Sequence, residues 1–122
     1  MQDPHGFDPW IGVDLDGTLA HFDYNIWRHD HSHIGEPIPK MMEIVRQLIR
    51  EKHTVKIFTA RACDPEQFKY VEKWLDKHDL SGIMVTSKKD YGMHLLYDDR
   101  AVQVEYNTGV VHDTRLEYGK LQ

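Results

Sequence analysis

Two carboxylates one residue apart, Asp14 and Asp16, close a short apolar run, Ile11-Gly12-Val13, and are followed at once by Gly17, Thr18 and Leu19. Such a run breaking into Asp, Gly and Thr reads as a buried strand that becomes a loop at its carboxyl end, where open α/β sheets keep their ligands. Acids held together near a buried strand repel one another unless a cation, a proton or strong hydrogen bonds offset the charge. An Asp-Gly pair on its own also makes an ordinary helix-capping turn, so the rest of the chain must decide between chemistry and capping.

Three further polar groups occupy corresponding places. Thr59, Ala60 and Arg61 follow the apolar stretch ending at Phe58; Ser87, Lys88 and Lys89 follow the one ending at Thr86; Asp98 and Asp99 follow the one ending at Tyr97. If these stretches are parallel strands, residues 45, 75 and 84 positions beyond Asp14 meet it at one sheet edge. Several carboxylates with open coordination suit a hard cation such as Mg²⁺, which shares its oxygen ligands with a substrate phosphate. A carboxylate there can attack phosphorus, while a Thr hydroxyl and a Lys ammonium hold the phosphoryl oxygens as charge shifts. Without a cation the cluster is costly, since two unit charges ~4 Å apart repel by about 4 kcal/mol at an effective dielectric of 20.

The elements that must position these groups follow from pattern and punctuation. Strand 1 is expected from Trp10 to Asp14, followed by a flap over residues 20–38 with no sustained period. A helix is expected from Pro39 to about Lys52, with Met41, Val45, Leu48 and Ile49 on one side. Thr54 to Thr59 reads as strand 2. Asp64-Pro65-Glu66-Gln67 carries an N-cap, a first-turn proline and a capping-box Gln, and opens a helix with Phe68, Val71, Trp74 and Leu75 at helical spacing. Ile83 to Thr86, Met93 to Tyr97 and Val102 to Tyr106 read as strands 3, 4 and 5, and one more short strand precedes the tail. Strands alternating with amphipathic helices predict right-handed crossovers and a three-layer, Rossmann-like α/β fold, with a mostly parallel sheet and helices on both faces. Residues 1–9 form an irregular lead-in on which little should depend, 10–112 a single domain, and 113–122 a tail.

Asp14-Leu15-Asp16-Gly17-Thr18, then Thr59, then a lysine after strand 3, then Asp98-Asp99, taken in that order, resemble the haloacid dehalogenase superfamily of phosphohydrolases over roughly residues 11–106. The resemblance implies Asp14 as nucleophile and Asp16 as the acid that protonates the leaving oxygen and then, as base, activates water. It implies Mg²⁺ held by Asp14, the backbone carbonyl of Asp16, and Asp98 with support from Asp99. Phosphate or substrate contacts are expected among Thr18, Thr59, Ala60, Arg61, Lys88 and Lys89. Of the two lysines Lys89 is preferred, because it adjoins Asp90 at a candidate helix start. Only nine positions separate Lys89 from Asp98, so a bare turn in place of the usual helix is expected there. Neither usual insertion point has room for a cap domain, so the capless type is implied, with the stretch from His21 to His33 as specificity element.

Composition narrows partners and place. A net charge of −5 argues against non-specific attraction to nucleic acid or anionic membrane; the resemblance implies a phosphorylated substrate, with a nucleotide, a sugar phosphate or a nucleic-acid terminal phosphate all compatible. A homo-oligomer is compatible with an open site that a neighbouring subunit covers. The single cysteine, Cys63, makes no internal disulfide and is given no role. The amino terminus lacks the basic and apolar regions of a signal peptide, so the expected location is cytoplasmic. The His29-Asp30-His31-Ser32-His33 cluster invites zinc, but a zinc site needs three or four converging ligands with supporting partners, and a solvated or substrate-facing flap is the simpler reading. Two rival functions are an inactive member of the same fold kept as an interaction module, and a phospho-accepting receiver domain. The second is disfavoured because a receiver's acidic pair precedes its accepting Asp.

Overall fold

A computed structural model of the chain describes residues 6–112. Four parallel strands, β1 (Trp10–Val13), β2 (Val55–Phe58), β3 (Met84–Thr86) and β4 (Met93–Tyr97), form one sheet in the order β3-β2-β1-β4. β1 is paired on both edges, in register Val13 with Ile57 on one side and Val13 with Tyr97 on the other. Every residue of β1 is buried, as a central parallel strand requires.

The helices lie where the sequence puts them. In α2 (Pro39–Arg50) the proline fills the first turn and Met42 and Val45 are buried. In α3 (Pro65–Lys77) the Asp64 carboxylate accepts the N–H groups of Glu66 and Gln67, and Val71, Trp74 and Leu75 are buried. The flap contains one short helix, α1 (Tyr24–Trp27), capped by Asp23. The flap's roots are pinned: Ile38 N–H donates to Leu19 C=O, His21 N–H to Glu36 C=O, and Trp74 Nε1 to Gly35 C=O, each at 2.8 Å.

Three expectations are corrected. Both α2 and α3 join Val13, Val55, Ile57 and Val85 in one apolar core, so they cover the same face of the sheet, not both. The cause is topological: right-handed crossovers that step in one direction, from β1 to β2 to β3, place their helices on one side. The return from β3 to β4 would cover the other side, but it is a turn without a helix, so Lys89 and Asp90 start none. On the bare face Lys56 Nζ lies 4.6 Å from the centre of the Trp10 ring, and Trp10 lies 6.3 Å from Phe58. The expected fifth strand is shorter, Gln103–Val104, and leaves the sheet to pair antiparallel with Val111–His112 as an exposed hairpin, β5-β6. The lead-in also does more than expected. The Phe7 ring meets Tyr91 at 5.7 Å, and a side chain at Gly92 would collide with the Asp8 carbonyl. The tail expected at 113–122 lies outside the described residues, as do residues 1–5 of the lead-in.

Candidate functional site

The loop after β1 is built to turn sharply and aim its side chains at the sheet edge. Asp14 N–H donates to Tyr97 C=O at 2.9 Å, which extends the ladder one residue beyond the strand. The Leu15 carbonyl then accepts from Thr18, Leu19 and Ala20, and the side chains of Leu15, Leu19 and Ala20 are fully buried beneath the turn. Gly17 sits at φ 90°, in the left-handed region, and a Cβ there would lie 2.8 Å from Asp99 Oδ2. Glycine is therefore required by the backbone, and it also lets a carboxylate approach closely.

Oxygens of Asp14, Asp98 and Asp99 lie within 4.8 Å of one another. Asp14 and Asp98 are half-buried and Asp99 is exposed. Thr18 joins the two loops: its Oγ1 is 2.8 Å from Asp99 Oδ1 and 3.3 Å from Asp14 Oδ2, and accepts the Asp99 N–H at 2.9 Å. Desolvation first, then the hydrogen bond with Asp99 and the charges of Asp98 and Asp99, push the Asp14 carboxyl up to about 7. Burial also works against charge on Asp99, but hydrogen bonds with Asp14 and Thr18 outweigh it and hold that carboxyl below its ordinary range. The donor set is all oxygen and half-open, which fits a hard divalent cation.

No known protein-family profile matches the chain, and no curated protein does. Among solved structures it is similar to a conserved protein from Bacteroides thetaiotaomicron. The two share 25% identity over 77% of this chain and 78% of the other, with a TM-score of 0.59. The likeness to the Bacteroides protein thus spans most of both chains and agrees with an α/β sheet as the frame of the site.

Asp16 is not one of the three clustered acids; its carboxylate is held by Arg61. Its Oδ2 accepts from Arg61 Nε at 2.7 Å and its Oδ1 from Arg61 Nη2 at 3.0 Å. Arg61 is buried in a 3-10 turn, Ala60–Cys63, which follows β2. Its remaining donors go to the His31 carbonyl (2.9 Å), Gln67 Oε1 (2.8 Å) and the His33 carbonyl (2.8 Å). All five N–H groups of the guanidinium are engaged within the protein, so it is an internal counter-charge and not an open phosphate contact. Thr59 is buried and its Oγ1 accepts the Arg61 N–H at 3.2 Å. Ala60, Lys88 and Lys89 are exposed at the same sheet edge. The backbone N–H of Lys88 donates to Thr86 Oγ1, and no hydrogen bond or ion pair among the described residues joins either ammonium to the carboxylates.

Two groups have structural roles beyond those expected of them. The expected substrate contact Thr18 bridges Asp14 and Asp99, and its place directly after the Asp-Gly turn was the available signal. The sequence marks Gln67 as a capping residue, and in the fold it also accepts from Arg61 and donates to the His31 carbonyl at 2.9 Å. In the flap, His31 stacks on Trp27 at 4.4 Å, and its imidazole faces an aromatic ring.

Proposed function

We propose that the chain is a Mg²⁺-dependent phosphomonoesterase of the capless haloacid dehalogenase type, acting through a phosphorylated Asp14. One observation carries the reading: Asp14, Asp98 and Asp99, up to 85 positions apart in sequence, offer oxygens within 4.8 Å of each other beside Asp16. Asp14, Asp98, Asp99 and the Asp16 backbone carbonyl would hold the cation, which when bound supplies charge neutralisation of the phosphate and of the acidic cluster.

The chain's own residues then divide the work. An Asp14 oxygen attacks phosphorus and the ester oxygen leaves with a proton from Asp16. Thr59, whose oxygen already accepts a backbone N–H, keeps its hydroxyl proton for a phosphoryl oxygen. Lys88 or Lys89 supplies the ammonium for another. A nucleotide, a sugar phosphate or a nucleic-acid terminal phosphate satisfies this chemistry equally, and the flap selects among them.

A second reading, a cation-binding interaction module without turnover, draws on the capture of both Asp16 oxygens by Arg61. One screen separates the two: release of phosphate from nucleotides, sugar phosphates and 5′- or 3′-phosphorylated oligonucleotides with Mg²⁺, with Asp14→Asn as blank. Mg²⁺-dependent release above the blank is the expected result. Turnover that survives EDTA would remove the cation from the proposal, and binding without release would favour the module.

A further inference from the structure

The guanidinium of Arg61 stands between the two parts of the molecule that a phosphatase must coordinate. One edge, Nε and Nη2, grips both oxygens of Asp16 at 2.7 and 3.0 Å. The other donors hold the carbonyls of His31 and His33 in the flap, at 2.9 and 2.8 Å. Gln67 closes the circuit by bonding both Arg61 and the His31 carbonyl. The side chains of Arg61 and Asp16 are 7% and 24% exposed, so little water competes for these bonds. A guanidinium that bonds both oxygens of a carboxylate fixes the position and plane of that group.

We infer that Arg61 is a positioning residue that presents Asp16 as the base for hydrolysis of phosphorylated Asp14, and that this presentation depends on the seating of flap residues 31–33. The inference rests on the phosphatase reading. In the step concerned, water gives a proton to Asp16 and its oxygen bonds to phosphorus. The bond from phosphorus to the Asp14 oxygen breaks, its electron pair returns to Asp14, and inorganic phosphate leaves. The proton left on Asp16 serves the next leaving oxygen. An ammonium in place of the fork cannot span Asp16 and both flap carbonyls.

The test uses 4-nitrophenyl phosphate, whose phenolate leaves without a proton, so that phosphorylation of Asp14 does not need Asp16 as acid. In rapid-quench experiments with Mg²⁺, Arg61→Lys is expected to keep the nitrophenolate burst while steady-state turnover falls about 10²-fold and the phosphoenzyme accumulates. Hydrogen exchange at residues 31–34 is expected to quicken in the same variant. Gln67→Met, a milder change, should move both readouts in the same direction by less, and serves if Arg61→Lys does not fold. Burst and turnover falling together, or exchange left unchanged, would overturn the role. A wild-type protein that neither forms nor hydrolyses the phosphoenzyme would overturn the phosphatase reading itself.

Discussion

Asp14 and Asp16 are separated by one residue and have been given opposite surroundings. Asp16 is matched by a buried guanidinium that no solvent cation could replace. Asp14 is set among other carboxylates and a hydroxyl, with its charge opposed by burial and by Asp98 and Asp99. A fold that satisfies one acid internally and leaves its neighbour uncompensated spends stability at the second position. Positions where local rules are broken this way are where function is expected. The contrast also assigns different debts: removing Asp16 orphans a partner, whereas removing the charge of Asp14 relieves a repulsion.

Substitution at each acid tests that contrast directly. Asp14→Asn is expected to lower phosphate release at least ~10³-fold, because no other carboxylate can take over the covalent step. In metal-free buffer at pH 8 it should melt no lower than wild type, since it deletes a charge the fold disfavours. Asp16→Ala should do the reverse to stability and cost about 2–4 kcal/mol by leaving a buried guanidinium without its partner, read from urea midpoints. If both variants destabilise equally, the two acids are not differently compensated.

What the chain declares beforehand depends on how local the cause is. α3 is legible from Asp64-Pro65 and the spacing of Val71, Trp74 and Leu75, because capping and amphipathicity are settled within a few residues. The convergence of Asp14, Thr59 and Asp98 at one edge is legible too, because parallel strands impose it. The bare sheet face is not announced by any residue type. It follows from strand order combined with a return connection too short to hold a helix, and strand order is a non-local property. Arg61 is the sharpest case: its type suits a phosphate and a carboxylate alike, and only the flap's path, which returns the carbonyls of His31 and His33 to it, decides between them.

Gly17 gives a smaller effect on the same boundary. Alanine there meets both the positive φ and the Asp99 carboxylate 2.8 Å away, so Gly17→Ala should cost about 1–2 kcal/mol and weaken Mg²⁺ binding measured by calorimetry. Unchanged affinity would show that Asp99 need not approach the turn so closely.

The effect that bears most directly on Asp14 is pH dependence. Its carboxyl titrates at about 7 in the folded chain, against an ordinary 3.8, so between those values the folded state holds more protons than the unfolded one. Stability from this group is therefore present at pH 4 and lost as the pH rises through about 7. Melting of the metal-free wild type, taken as the difference from Asp14→Asn, should decline across that window. Mg²⁺ should reverse the decline, raising the midpoint more at pH 8 than at pH 5, because a cation binds the ionised cluster and competes with the proton. Equal stabilisation by Mg²⁺ at both pH values would mean that the cation and the Asp14 proton do not share a site.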